Sequence, residues 1–189
     1  MNMEIEPFKI PSIFVVTPRI IGDERGHFAE TFRLDHFTQA CGNWTFVQDN
    51  ESHSAKIGTI RGLHFQIEPC VQGKLVRCTA GALFDVVVDI RNGSPTFGQW
   101  VGETLTPANG RQLWVPPGFA HGFCTLEPDT TISYKVTSYY NADCDKGIAW
   151  NDTSIGVTWP AVADPKTLSE KDRMQPYLAE LPKYFLWSN

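Results

Sequence analysis

Phe84-Asp85-Val86-Val87-Val88-Asp89-Ile90 decides the fold class. Read with a period of two, Phe84, Val86, Val88 and Ile90 share one face of a strand, and Asp85, Val87 and Asp89 share the other. In the preceding segment Lys74, Val76 and Cys78 alternate in the same way. Working outward, the same kind of segment recurs at 13–16, 28–32, 45–51, 59–66, 98–105, 112–115, 122–126, 130–137 and 156–159, broken by 15 Gly and 13 Pro. Many short strands at close spacing predict an all-β sandwich or barrel, and the pattern points to a jelly roll. Helix is expected only as short peripheral pieces at 34–40 and 169–174. The second has Ser169 three residues before Asp172, a capping-box spacing.

The chain has 189 residues, which suits one domain spanning 1–189, and neither a repeat nor a linker divides it. Hydrophobic residues make up 42% and charged residues 20%, an ordinary globular composition. The net charge of −5 argues against general nucleic-acid binding. No apolar run approaches the roughly 18 residues of a membrane span. The first ten residues carry Glu4 and Glu6 and lack the apolar core of a signal peptide. Cys41, Cys70, Cys78, Cys124 and Cys144 are odd in number, contain no C-x-x-C and match no zinc spacing, so reduced thiols in a cytoplasmic protein are expected.

The chemistry-bearing residues gather around two histidines. His64 follows Gly58 at the spacing of the first half-motif of the cupins, a jelly-roll superfamily, and Gly110, Pro116, Gly118 and His121 resemble the second half-motif. Gln66 occupies the position of the second ligand histidine, Glu68 comes too early, and Thr125 replaces an Asn. Two imidazoles without a carboxylate make a weak site for a first-row metal, so no metal is expected. An imidazole that holds no metal is free to act as a base, and its ordinary pKa near ~6.5 suits that task.

A longer ordered set of motifs is more specific. It comprises Gln48-Asp49-Asn50, Arg61-Gly62-Leu63-His64-Phe65-Gln66, Gly73-Lys74-Leu75-Val76-Arg77-Cys78, Asp85 to Arg91, Ser94-Pro95-Thr96-Phe97-Gly98 and Pro117 to Phe123. Tyr134-Lys135, Gly147 to Asp152 and Leu168-Ser169-Glu170-Lys171-Asp172 follow. From about Ile13 to Asp172 the chain resembles the dTDP-4-dehydrorhamnose 3,5-epimerase family of nucleotide-sugar epimerases. The resemblance implies a 4-keto sugar on a nucleoside diphosphate as substrate. The C3 and C5 protons are alpha to the ketone, so a base on one face of the ring and an acid on the other suffice, with no redox cofactor and no metal.

The resemblance implies His64 as general base and Asp172 as the carboxylate that orients its ring. It implies Tyr134 as the acid on the opposite face and Lys74 as the cation at the C4 oxygen. Taken singly, each has a plainer reading. A lone strand histidine is most often hydrogen-bonded structure, Asp172 caps a helix, and a tyrosine in a β sandwich is a core aromatic. Lys74, however, shares its face with Val76 and Cys78, which is odd for a solvated lysine. The resemblance further implies substrate contacts from Arg25, Phe28, Glu30, Gln48, Asp49, Asn50, Arg61, His121, Tyr140, Asp145 and Lys171. Arg25 and Lys171 would meet the diphosphate or nucleoside end, since guanidinium and ammonium groups suit phosphate. Asp145 stands where relatives tend to carry Glu. Arg61 and His64 are three apart and would face opposite ways on an ideal strand, so both can line one pocket only if Gly62 hosts a bulge. The family also implies a homodimer in which the N-terminal region reaches the neighbouring subunit's site, and a role in rhamnose synthesis for cell-surface polysaccharide.

Three other readings remain open at this stage. One is a C3-only or C5-only epimerase or a 3,4-ketoisomerase on a related sugar. Another is a metal-dependent cupin enzyme. The third is a non-catalytic nucleotide-sugar binding protein. The tail 177–189, with Tyr184, Phe185 and Trp187, is expected to dock on the body.

Overall fold

In the computed structural model, which describes residues 3–188, the segments between glycines and prolines become fifteen short strands. They are β1 (Glu4–Pro7), β2 (Phe14–Thr17), β3 (Ile20–Asp23), β4 (Gly26–Ala29), β5 (Gln48–Ser54), β6 (Ile60–Gln66), β7 (Lys74–Ala80) and β8 (Leu83–Asp89). Then come β9 (Arg91–Asn92), β10 (Trp100–Leu105), β11 (Gln112–Val115), β12 (Phe119–Thr125), β13 (Thr130–Val136), β14 (Asp145–Gly147) and β15 (Phe185–Leu186). Helix is confined to α1 (Leu34–Cys41), α2 (Glu170–Arg173) and two single 3₁₀ turns.

Two antiparallel sheets face each other in a jelly roll. One runs β1-β2-β11-β7-β13-β5, the other β10-β8-β12-β6-β14. The period-two reading of β8 holds. Val87 enters the core between the sheets with Val76, Cys78, Leu113, Phe123 and Ile132. Val86, Val88 and Ile90 point outward, where Ile148, Ile155 and Leu178 of the C-terminal segment cover them. The outer face of the six-stranded sheet, with Leu75 and Trp114, is covered by Phe37 of α1 and by Phe32, Trp44 and Phe46. Both sheets are therefore buried on two faces.

The tail docks as expected. Leu178 is buried, Tyr184 packs on Phe65 at 5.9 Å, and β15 pairs parallel with β9. Arg91 holds it from below: its guanidinium lies 4.2 Å from the Phe119 ring and 4.3 Å from the Trp187 ring, and it pairs with the buried Asp89 at 2.7 Å.

Several boundaries differ from expectation. Segment 156–159 forms no strand. Val157 and Trp159 are packed by burial, and the Trp159 indole donates to the Trp150 carbonyl, so apolar alternation there reflects packing without pairing. The strand expected at 28–32 stops at Ala29, where its hairpin partner Ile20 begins. Strands β1, β3, β9, β14 and β15 lie outside the expected set; most are two to four residues long and exposed or half-buried, which leaves little hydrophobic period to read. No helix among the described residues is long and apolar enough to cross a membrane.

Candidate active site

The two sheets diverge around a cavity of about 620 Å³ whose floor is the inter-sheet core, with Phe123 and Ile132 belonging to both. The five-stranded sheet sends in His64 and Gln66 from β6, His121 from β12 and Asp145 from β14. The six-stranded sheet sends in Gln48 and Asn50 from β5, Lys74 from β7 and Tyr134 from β13. His64 and Tyr134 therefore stand on facing walls.

Gly62 makes the β6 wall possible. Opposite β12, Arg61 pairs with Phe123 and His64 with His121, so β6 takes three steps where β12 takes two. The extra residue is the predicted bulge, and it turns both Arg61 and His64 into the cavity. Gly62 has φ +110°, and a Cβ there would stand 2.6 Å from Gly122 Cα and 2.7 Å from the His121 carbonyl oxygen. Because these obstacles are backbone atoms, Gly62→Ala should lower stability by at least about 1–3 kcal/mol and misdirect His64. Urea midpoints together with activity at low temperature check this; a folded, fully active variant would remove the bulge from the account.

His64 Nε2 lies 2.6 Å from Asp172 Oδ1, although 108 residues separate them. Asp172 is the buried residue of α2, whose start is capped by Ser169 Oγ accepting from the Asp172 amide at 3.1 Å. Burial raises the pKa of this carboxyl, but the hydrogen bond and charge of His64, helped by Ser169 and the Gly62 amide, outweigh burial and hold it below the usual value. Asp172 is thus an anion at neutral pH and can only accept. In the neutral form of His64 the ring proton therefore sits on Nε2, which leaves Nδ1 with a lone pair for the base role.

Lys74 is half-buried, and among the described residues its Nζ reaches only the His64 carbonyl, at 3.4 Å. Burial pulls its pKa down to about 8, opposed by Asp145 and Asp85. Burial pushes the Tyr134 phenol up, with Arg61 acting the other way. His121 forms a second imidazole–carboxylate pair, Nε2 to Asp85 Oδ1 at 2.7 Å, with Asp85 fully buried. Arg61 is tethered by the His53 carbonyl and Ser54 Oγ. Tyr140 stands at the rim, its amide donating to Gln48 Oε1, and Lys171 pairs with Asp145 across the mouth. The arrangement can take a proton at one wall, return one at the other and hold an anion between them.

Eleven of the fifteen expected residues thus meet in one cavity: His64, Tyr134, Asp172, Lys74, Gln48, Asn50, Arg61, His121, Tyr140, Asp145 and Lys171. Four do not. Asp49 sits between Gln48 and Asn50, so strand alternation turns it to the other face, where it pairs with Lys135 at 2.9 Å. Arg25 and Phe28 project on the β3–β4 hairpin, Arg25 paired with Asp23 and Phe28 58% exposed, and Glu30 follows directly after it. None of these three side chains lines the cavity of its own chain.

The sequence reading missed Asp85, whose signal was present as a carboxylate on the inward face of β8. It also left Gln66 unassigned. Its amide donates to the Cys70 and Tyr139 carbonyls and its oxygen accepts from the Asn141 amide, which fastens the loops around the Tyr140 rim.

A family model described as dTDP-4-dehydrorhamnose 3,5-epimerase matches residues 7–180. A dTDP-4-dehydrorhamnose 3,5-epimerase of Sinorhizobium fredii is 56% identical over 184 residues, covering 97% of this chain and 94% of that protein. A Legionella pneumophila dTDP-6-deoxy-D-glucose-3,5-epimerase, solved with dTDP-4-keto-L-rhamnose, is 40% identical and superposes with a TM-score of 0.93 over 100% of both chains. ChmJ, a 3'-monoepimerase from Streptomyces bikiniensis solved with dTDP-quinovose, is 34% identical with a TM-score of 0.86, over 92% of this chain and 87% of that one.

Proposed function

The chain belongs to the dTDP-4-dehydrorhamnose 3,5-epimerase family, and we propose that its cavity performs the two epimerisations with His64 as base, Tyr134 as acid and Lys74 at the oxyanion. The protein is an isomerase that inverts C3 and C5 of dTDP-4-dehydro-6-deoxy-D-glucose. One observation carries the assignment of roles: a histidine locked to a buried carboxylate on one wall of the cavity faces a tyrosine on the other, with a half-buried lysine beside them.

His64 Nδ1 removes the proton alpha to the 4-ketone. The electron pair moves onto the C4 oxygen, where the Lys74 ammonium balances the charge. Tyr134 returns a proton from the opposite face, which inverts the carbon. The phenol's raised pKa keeps it protonated for this step. Arg61, His121 and Lys171 supply cationic or donor groups for the diphosphate and sugar.

Incubation with dTDP-4-keto-6-deoxyglucose in D2O, followed by NMR, tests the function. Loss of both the C3–H and C5–H signals is expected. Loss of one alone would make this a single-position enzyme, the activity in ChmJ's name. Exchange at neither, by folded protein, would overturn the reading.

The reading includes a homodimer. Ile20, Ile21 and Phe28 are 40%, 43% and 58% exposed on one hairpin, an apolar surface that a second copy would cover. Arg25, Phe28 and Glu30 would then complete the neighbouring cavity. Arg25→Ala should weaken dTDP binding by about 1.5–3 kcal/mol, the worth of a hydrogen bond to a charged group. Mixing Arg25→Ala chains with His64→Ala chains should return activity that neither has alone. Mixed chains that stay inactive, or a protein that sediments as a monomer, would overturn the shared site. Five free thiols suit the cytoplasm, where supply of a rhamnose precursor for surface polysaccharide would occur.

A further inference from the structure

Asp145 stands between two lysines. Its Oδ2 accepts from Lys171 Nζ, which ties edge strand β14 to α2 across the mouth of the cavity. Its side chain is only 13% exposed, while that of Lys171 is 47% exposed. The same carboxylate lines the cavity together with Lys74 and Tyr134, where its charge favours the ammonium of the one and the protonated phenol of the other. Lys74 itself has one long hydrogen bond, to a carbonyl, and no carboxylate within ion-pair distance among the described residues.

We propose that Asp145 is a positioning residue that exchanges cations when a nucleoside diphosphate binds, releasing Lys171 to the diphosphate and turning its own charge on Lys74. This rests on the reading above, in which a nucleoside diphosphate occupies the cavity. A diphosphate carries more negative charge than one carboxylate, so at equal distance it attracts the Lys171 ammonium more strongly. Lys171 is half in solvent on a flexible stem and can follow it. Asp145, on a paired strand and largely covered, stays. The exchange strengthens the Lys74 ammonium only when there is a substrate whose oxyanion it must hold. It also sets Asp145 against loss of the Tyr134 proton, so the acid stays loaded.

The groups facing Lys74 are Asp145 from β14, Asp85 from β8 and Lys171 from α2, with His64, His121 and Tyr134 from β6, β12 and β13. Asp145 and Asp85 favour its charged form and Lys171 disfavours it. The exchange strengthens a favourable partner and removes an unfavourable one.

The test is the titration midpoint of Lys74 in the intact protein, from the pH dependence of acetic anhydride labelling read by peptide mass spectrometry, with and without dTDP. The midpoint reports charge even where bound nucleotide slows labelling. In the wild-type protein dTDP should raise the midpoint by about one pH unit. In Asp145→Asn the free midpoint should fall and the rise with dTDP should shrink to the effect of the diphosphate alone. Asp145→Glu should restore both. Lys171→Gln should raise the midpoint without any nucleotide, the opposite sign to Asp145→Asn, which no general loosening of the fold would produce. Equal dTDP-induced rises in wild-type and Asp145→Asn proteins, or an unmoved midpoint in Lys171→Gln, would overturn the exchange while leaving the epimerase reading intact. Failure of dTDP to bind, measured by calorimetry, would overturn that reading and the exchange with it.

Discussion

His64→Ala should slow loss of the C3–H and C5–H signals in D2O by about 10²–10⁴-fold, the usual worth of a positioned acid–base group. Both positions should fail together if His64 is the base for both, and activity that survives at one position would assign that proton to His121, the second imidazole on this wall. Asp172→Asn should be nearly as damaging and is the sharper test. An amide can donate to Nε2, which moves the ring proton onto Nδ1, the nitrogen that must be bare. In a well-studied triad, the same Asp-to-Asn change leaves geometry intact and costs about 10⁴ in turnover. The variant should keep its fold, since Asn retains the size of Asp and can still accept from the Gly62 amide. Exchange at the wild-type rate in His64→Ala would remove His64 as the base. Wild-type exchange in Asp172→Asn would leave Asp172 as a structural partner of His64 only.

Lys74→Met should reduce turnover by about 10²–10³-fold, corresponding to the ~2.7–4 kcal/mol lost when a donor to a developing oxyanion is removed. Met keeps the length of the stem against Val76 and Cys78 and removes only the charge. The loss should fall on kcat rather than on binding of dTDP, because the interaction reaches full strength only when charge appears on the C4 oxygen. The pH profile gives a second reading. An ammonium with its pKa lowered to about 8 in the free protein loses its proton as pH rises through that value, so wild-type kcat/KM, which reports the free enzyme, should decline on the alkaline side near pH 8. The residual activity of Lys74→Met should lack that decline. A variant that loses dTDP affinity but keeps kcat would assign Lys74 to binding instead.

The sheet architecture was legible because the strands are short apolar runs set off by glycine and proline, buried on both faces in β11 and β12. Segment 112–115 matches β11 residue for residue, and the parity of 84–90 separates Val87 from Val86 and Val88 as the structure does. The bulge was legible too, because two cavity residues three apart with a glycine between them leave few other solutions. What was not legible has physical causes. The β3–β4 hairpin is exposed along nearly its whole length, so burial leaves no periodic mark on it. Asp49 sits within a motif whose other two members face the cavity, and motif matching ignores the pleat. Lys171–Asp145 and His121–Asp85 join residues 26 and 36 apart in sequence, and pairings at such range follow from strand order, which no local pattern contains. The reaction and the His64–Asp172 pair were readable from resemblance; the Lys171–Asp145 and His121–Asp85 pairs were not.

The sequence separation of 108 between His64 and Asp172 sets a timetable for the protein's birth. A ribosome adding ~5–20 residues per second needs roughly 5–20 s after making His64 before the carboxylate that fixes its tautomer exists. During that time β7 to β14 are made, and the imidazole on β6 has no carboxylate to orient it. A product cut short anywhere before Asp172 lacks the partner that orients its base and the tail that covers the outer face of β8.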